Sequence, residues 1–313
     1  MSLANALPEP LRKSRPIMAL DQSIKKGRLA HGILLHGNDL DLLEDVGLAL
    51  ASVLLKPAGE VTIHPDFFTL RPTHKARQIR INNTRELIRQ IQHTPRQSKN
   101  KVILVYETDR MNRESANAFL KTLEEPPANT TIILLSTRPH ALLDTIRSRC
   151  FNFHIPAQLN TPIHPELQLW LKDYRHWLEQ LRKEVRSVRD KANLVLAAYG
   201  LIDRYQSILK KNNYTNGGNN KKDILHQYFG DEEKDAYEIG IRKRHRHKFI
   251  VELEITTRNF AIESIKRSEP FPTHQLARVV ACLEHSAGLL EVNLNEGTAM
   301  EYFFLNSLRI WAK

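Results

Sequence analysis

Two short runs of almost unbroken aliphatic residues constrain the fold of this 313-residue chain most strongly. They read KVILVY and TIILLS, and they span Lys101–Tyr106 and Thr131–Ser136. A strand that faces solvent on one side alternates apolar and polar residues, whereas a strand that is covered on both faces does not. We therefore predict two central strands of a parallel sheet with helices packed on both of its faces.

Further strands and helices are predicted on either side of these two runs. The other strands are expected at Gly32–His36, Asp66–Leu70 and Phe151–Ile155. Helical spacing of apolar residues predicts helices at about Thr84–His93, Arg113–Glu125 and Ala141–Arg147. Thr84 is expected to be the N-cap of the first of these helices. Strands that alternate with helices in this way predict a doubly wound α/β domain over residues 1–156.

The pattern changes at the proline-rich segment Pro156–Pro165, which is predicted to be a linker. After it, apolar residues recur every three or four positions over about Glu166–Lys211 and again from Phe249 onward. This spacing predicts an all-α helical domain over residues 157–313. The polar stretch Asn212–Asn220 is expected to be a loop within that domain.

Composition excludes several classes of protein. The chain has no run of 18 apolar residues, so we predict no membrane-spanning helix and no membrane partner. Its first thirty residues carry prolines and charges without an apolar stretch, which argues against secretion and favours a cytoplasmic location. The only two cysteines, Cys150 and Cys282, are far apart in sequence, which excludes a disulfide framework and a cysteine-based zinc site.

The formal net charge of +11 favours a polyanion such as nucleic acid as a neighbour of this protein. The excess of basic residues is divided between both halves of the chain. The densest cluster reads RKRHRHK at Arg242–Lys248. We interpret it as a solvated helix end or loop, and a DNA-binding adaptor that uses this cluster stays open as an alternative.

The segment Leu34–Asp45 has the layout of a phosphate loop between a strand and a helix, but not its chemistry. A working loop needs a second glycine, a lysine and a hydroxyl at fixed distances from the first glycine. Counted from Gly37, these positions hold Leu42, Leu43 and Glu44. Four carboxylates in the turn would also repel a triphosphate; they are Asp39, Asp41, Glu44 and Asp45. The sequence therefore predicts a degenerate nucleotide site.

The position of a magnesium-holding aspartate is altered as well. That aspartate normally comes at the end of the apolar strand, and Tyr106 stands there, followed by Glu107. Asp109 is two residues further on and is a candidate substitute. An active ATPase with an unorthodox loop, using Glu107 and Asp109, is therefore an alternative to the degenerate site.

Two arginines are predicted at the end of a helix in the segment TIRSRC, Thr145–Cys150. Cations interact favourably with the helix dipole there, which explains why Arg147 and Arg149 are tolerated. An arginine at this domain edge would also reach the γ-phosphate of ATP held by a neighbouring subunit, as an arginine finger supplied in trans does.

The sequence resembles a known family over about residues 20–156. Asn112–Pro156, with its LKTLEEPP helix end, its Ser-Thr strand end and its Ser-Arg-Cys triplet, is similar to AAA+ clamp-loader subunits of bacterial DNA polymerase III. The segments HGILLHG, HPDFF and IRINNTRELI match earlier landmarks of that family. The resemblance implies an AAA+-like, P-loop NTPase fold with a degenerate loop, followed by a helical, collar-like domain.

Within that family the chain resembles the delta-prime branch, which does not hydrolyse ATP, rather than the gamma/tau motors. The resemblance implies that Arg149 is the finger in trans, with Ser148 and Cys150 as its small packing neighbours. Thr137 stands where an ATPase of the family senses its own γ-phosphate. The implied role is a subunit of the DNA polymerase III holoenzyme, a DNA-directed DNA polymerase complex, in DNA replication.

The resemblance also implies partners. The partners are gamma/tau and delta subunits, with the sliding clamp and primed DNA reached through the complex. The chain departs from the family in two ways. The four-cysteine zinc module of the family has no counterpart, because Leu54–Arg80 contains no cysteine. The small helical lid is expected to be shortened or absent. Neither zinc nor ATP of its own is therefore expected as a cofactor.

Overall fold

The computed structural model describes residues 2–156, 165–182, 188–210, 231–266, 273–291 and 295–311. The chain divides into two compact units. The sheet unit comprises Met1–Thr161 and Tyr228–Ile239, and the helical unit comprises Pro162–Gln227 and Gly240–Lys313. The sheet unit thus includes the first turns of a helix that lies far along the chain, which the sequence pattern does not predict.

The sheet unit contains five parallel strands among its described residues. They are β1 Gly32–His36, β2 Phe67–Leu70, β3 Lys101–Val105, β4 Thr130–Ser136 and β5 Phe151–His154. Their order across the sheet is β2-β3-β4-β1-β5, and each neighbouring pair is parallel. All five predicted strands are confirmed. Because the strands are parallel, the segments that follow them meet at one edge of the sheet, where ligands of such folds bind.

The helices of the sheet unit before the linker lie between these strands or precede them. They are α1 Glu9–Arg12, α2 Arg15–Lys25, α3 Leu40–Leu55, α4 Ile81–Ile91, α5 Arg113–Glu124 and α6 Asp144–Arg147. The predicted third helix at Ala141–Arg147 is corrected, because Pro139–Ala141 forms a separate 3₁₀ turn before α6.

The predicted N-cap at Thr84 is wrong. Helix α4 already begins at Ile81, with Arg80 at the N-cap position. Thr84 is fully buried, and its hydroxyl donates a hydrogen bond to the carbonyl oxygen of Arg80 at 3.2 Å. A threonine can satisfy its hydroxyl in this way inside a helix, so its presence alone does not mark the first turn.

Both faces of the sheet are covered. On one face, Leu35, Leu104 and Ile133 pack with the apolar side of α3. On the other, Ile103 and Leu134 pack with residues of α4 and α5. Successive residues of a strand point to opposite faces, so an almost continuous apolar run is what a strand in this position requires. The first prediction from the sequence is thereby confirmed.

The helical unit is built from long helices. They are α7 Pro165–Arg182, α8 Val188–Lys210, the part of α9 Asp231–Lys266 that follows Ile239, α10 Thr273–Glu291 and α11 Glu296–Trp311. Trp170 and Tyr174 of α7 are fully buried in its aromatic core, together with Phe304 of α11. The indole N–H of Trp170 donates to the carbonyl oxygen of Leu201 at 2.9 Å, which gives this buried polar group a partner.

Helix α9 corrects the interpretation of the basic cluster. The helix begins at Asp231, well before the predicted start at Phe249, so Arg242–Lys248 lies in its interior and not at an end or in a loop. Most of the predicted linker Pro156–Pro165 and the whole of Asn212–Asn220 lie outside the described residues. Among the helices that are described, none is long and apolar enough to cross a membrane.

Candidate functional site

The phosphate-loop layout lies between β1 and α3, at the carboxyl edge of the sheet. Asp39 is the N-cap of α3, and its Oδ1 accepts hydrogen bonds from the amides of Asp41 at 3.0 Å and Leu42 at 3.4 Å. Free amides and the dipole at a helix N-terminus normally attract the phosphates of a nucleotide. Here the carboxylate of Asp39 accepts hydrogen bonds from two of those amides.

Gly37 permits a close approach between the segment after β1 and the segment after β5. The amide of Ile155, just after β5, donates to the carbonyl oxygen of His36 at 2.8 Å. A Cβ atom at position 37 would lie only 2.4 Å from the carbonyl oxygen of Ile155. Leu43, which stands at the lysine position, is 1% exposed and belongs to the core. The glycine is therefore required by packing, and the lysine position holds a core residue.

His36, at the end of β1, lies beside a second histidine and supplies no positive charge to the loop. Its ring centroid lies 5.2 Å from that of His154 at the end of β5. Burial lowers the pKa of His36, and the charges of His154 and His140 lower it further. The imidazole is consequently neutral at physiological pH and supplies no charge that would attract phosphate.

Glu44 stands at the hydroxyl position of the loop and is buried. A guanidinium nitrogen of Arg71 lies 3.4 Å from Glu44 Oε1, and both side chains are about nine-tenths buried. The guanidinium carbon of Arg71 also lies 3.1 Å from the ring centroid of Tyr106, which is 3% exposed. The residues at the hydroxyl position and at the magnesium-aspartate position are thus bridged by a cation of the chain.

The electrostatics of this cluster follow from its burial. Burial raises the pKa of Tyr106 strongly, so its phenol stays neutral. Burial alone would lower the pKa of Arg71, but the nearby Tyr106 and Glu44 raise it above its usual value. Arg71 therefore keeps its charge, and its interaction with Glu44 compensates two charges that have lost their water.

The start of α9 contacts the same part of the sheet unit. The ring centroid of Tyr237 lies 5.9 Å from the guanidinium carbon of Arg71. The amide of His74 donates to the carbonyl oxygen of Glu232 at 3.1 Å, and the two side chains approach to 3.3 Å. Sequence reasoning missed Arg71 and Tyr237. The position of Arg71, directly after β2 at the edge where the strands end, was the signal that could have revealed the arginine.

Both carboxylates of the alternative ATPase site are engaged by arginines. Glu107 forms ion pairs with the buried Arg77 and with Arg110. Asp109, whose side chain is 2% exposed, accepts hydrogen bonds from Ser136 Oγ at 3.0 Å and from Arg138 at 2.8 Å.

Thr137 lies between Ser136 and Arg138 in the sequence and is half-buried. Among the described residues, no group of three or more histidine, cysteine, aspartate or glutamate side chains is arranged to hold a metal.

Arg149 lies in the short connection between α6 and β5. Its Nε donates to Glu124 Oε1, at the end of α5, at 2.6 Å, and one Nη donates to the carbonyl oxygen of Thr145 at 3.0 Å. The other Nη also pairs with Glu124, and the side chain of Arg149 is 36% exposed. The guanidinium is therefore held at the surface beside β5, which is an edge strand of the sheet.

Cys150 packs in the connection that carries Arg149. Its thiol is buried, and burial raises its pKa to about 12, so it is a packing group and not a nucleophile. A Cβ at Gly32 of β1 would lie 3.1 Å from the carbonyl oxygen of Arg149, which shows how closely the connection approaches β1. Ser148 is exposed and donates to the carbonyl oxygen of Thr145. Of the two expected packing neighbours, only Cys150 is buried.

Two arginines of the basic cluster of α9 form contacts within the helical unit. Arg242 donates two hydrogen bonds to Glu296 at the start of α11, at 3.0 and 2.7 Å. Arg246 is 8% exposed and lies 3.9 Å from the same carboxylate. Two of its arginines thus interact with Glu296 inside the helical unit, which reduces the charge that the cluster offers to DNA.

Comparison with known proteins finds a matching family and several related sequences. Residues 12–158 match the family described as "DNA polymerase III, delta subunit". The DNA polymerase III subunit delta' of Pseudomonas aeruginosa is 41% identical over 87 residues, which cover 28% of this chain and 26% of that protein. The tau/gamma subunit of Haemophilus influenzae is 32% identical over 206 residues, which cover 60% of this chain and 30% of that protein.

Among solved structures, a DNA polymerase III gamma subunit-related protein from Thermotoga maritima aligns with a TM-score of 0.46 at 19% identity, covering 93% of this chain and 98% of that one. The chain spans between about a quarter and a third of the length of the first two curated relatives.

The strand order β2-β3-β4-β1-β5, with a phosphate-loop layout after β1, defines an AAA+-like domain. The match of residues 12–158 to the DNA polymerase III delta-subunit family, together with relatives named subunit delta', supports a delta-prime-like clamp-loader subunit. The family predicted from the sequence is thereby confirmed.

Proposed function

We propose that this clamp-loader subunit binds no nucleotide of its own and supplies Arg149 to ATP on a neighbouring subunit. The observation that carries the first half is the buried cluster of Glu44, Arg71 and Tyr106. It places a carboxylate, a guanidinium and a phenol where a nucleotide-binding relative needs a hydroxyl, a magnesium ion and an aspartate.

Binding of MgATP would require several unfavourable changes. The phosphates would have to displace the Asp39 carboxylate from the amides of α3. Magnesium would approach the buried guanidinium of Arg71 and find no aspartate at position 106. Breaking the pair of Arg71 with Glu44 would leave the buried carboxylate of Glu44 without its cation, which costs several kcal/mol in typical proteins. These costs together support a site that is closed to nucleotide.

The second half rests on the position of Arg149. The residue is half-exposed beside an edge strand, while the adjacent Cys150 fixes its backbone against β1. Phe151, two positions further on, is 67% exposed. A large exposed aromatic group beside a surface arginine fits a surface that another subunit covers, because aromatic residues and arginine are enriched in such interfaces.

The partners follow from the family. The neighbouring ATPase would be a gamma/tau subunit, and a delta subunit would complete the ring, with the helical unit joining the collar. The sliding clamp and primed DNA would be contacted through the complex. In this arrangement the subunit supports clamp loading during DNA replication without hydrolysing ATP itself.

We expect the isolated protein to show no saturable binding of MgATP up to about 1 mM, which corresponds to a binding free energy weaker than about −4 kcal/mol. Isothermal titration calorimetry measures the binding, and an unchanged midpoint of thermal unfolding with nucleotide gives a second readout, because a ligand that binds only the folded state raises it.

A gamma/tau subunit titrated in the same buffer is the positive control. Micromolar binding that depends on magnesium would reject the closed site and favour the alternative that uses Glu107 and Asp109. Replacement of Arg149 tests the other half of the proposal.

A further inference from the structure

Glu124 is the main side-chain contact of Arg149, and nothing in the finger role of Arg149 accounts for it. Glu124 is the last residue of α5, and its carboxylate pairs with Nε and one Nη of the arginine. The remaining Nη donates to the carbonyl oxygen of Thr145. Two different elements, α5 and α6, therefore fix the guanidinium.

These contacts leave part of the guanidinium unused. An arginine carries five N–H donors, and the contacts to Glu124 and Thr145 use one on each of its three nitrogens. One further N–H on each Nη remains, and the side chain is 36% exposed. Two N–H groups on one planar group are what bidentate recognition of a phosphate requires. The carboxylate thus restrains the side chain without consuming the donors that a phosphate would use.

We propose that Glu124 is the positioning residue of Arg149, so that the guanidinium is already oriented when the neighbouring subunit brings its ATP. This inference rests on the proposed finger role of Arg149. A long arginine side chain has many rotamers, and ordering it beforehand removes an entropic cost from the step in which it stabilises charge. Glu124 itself touches no nucleotide in this role.

The test is a Glu124→Gln variant in a complex reconstituted with gamma/tau and delta subunits, the clamp and primed DNA. Gln keeps the size of the side chain but removes its charge. Because an ion pair at an exposed position is weak, we expect kcat for ATP hydrolysis to decrease by about three- to fivefold. The KM for ATP should not change, because the lost interaction acts in the transition state. Glu125→Gln, at the exposed neighbouring position, is the matched control and should match the wild type.

A double variant separates positioning from a general structural effect. In the Arg149→Ala background, Glu124→Gln should cause no further decrease in kcat, because the group that it positions is gone. A decrease of the same size in both backgrounds would overturn the proposal, as would an unchanged or higher kcat in the single variant. If Arg149→Ala itself has no effect, the finger role fails. If only Arg149→Ala slows hydrolysis, the positioning role fails and the finger role stands.

Discussion

Arg149→Ala is expected to slow ATP hydrolysis at the neighbouring site that it serves by about 10³–10⁵-fold, while the ring still assembles. An arginine finger acts by neutralising charge that develops on the transferred phosphoryl group, and rate effects of this size are typical of its removal. The side chain of Arg149 is half-exposed, and among the described residues it forms a hydrogen bond and an ion pair with Glu124 and a hydrogen bond with Thr145 at the surface. Its loss should therefore leave folding intact.

The measurement is single-turnover hydrolysis by the reconstituted complex with the clamp and primed DNA, with native mass spectrometry to verify that the ring has formed. Arg147→Ala is the matched control, because Arg147 is the last residue of α6, two positions before Arg149, is 39% exposed and pairs with Asp144 at 2.9 Å. That control should hydrolyse ATP at the wild-type rate. Arg149→Lys should hydrolyse ATP only slightly faster than Arg149→Ala, since an ammonium lacks the planar pair of donors. An unchanged rate in Arg149→Ala would reject the finger assignment.

The architecture of the sheet unit could be predicted from the sequence because its signal is local. Each central strand lies between two apolar layers, so the runs at β3 and β4 had to be almost continuous in aliphatic residues. The three altered positions of the phosphate loop could also be read directly, since the spacing from Gly37 is fixed by the strand-turn-helix connection.

The contents of the closed site could not be predicted in the same way. Arg71 reaches Glu44 across 27 positions of the sequence, and Tyr237 comes from a helix more than a hundred residues further on. Neither contact leaves a periodic pattern in the sequence. The sequence shows that Glu44 and Tyr106 are wrong for nucleotide binding, but only the folded chain shows that a guanidinium joins them.

The acidic turn illustrates the same limit at short range. Four carboxylates after Gly37 predict repulsion of phosphate, and that argument treats them alike. In the structure Asp39 caps α3 and Glu44 is buried against Arg71, whereas Asp45 is exposed. Their separate roles depend on which face of the helix each side chain occupies, and three-dimensional packing decides this.

Arg71→Ala is expected to destabilise the sheet unit by about 3–5 kcal/mol, a large part of the stability of a typical domain. The substitution leaves Glu44 buried without its cation and removes the group that covers the ring of Tyr106. Urea unfolding followed by far-UV circular dichroism measures the loss. The tryptophan transition is recorded in parallel, because Trp170, Trp177 and Trp311 all lie in the helical unit.

A second variant shows whether the charge of Glu44 causes the loss. The double substitution Arg71→Met with Glu44→Gln removes both charges and keeps much of the side-chain volume, so it should recover most of the lost stability, because an uncompensated buried charge costs more than a missing pair. Arg89→Ala, at an exposed arginine paired with Glu86 on α4, should have little effect. If Arg71→Ala unfolds at the wild-type urea concentration, the cluster does not hold the site closed, and the proposed reason for the absence of nucleotide binding fails with it.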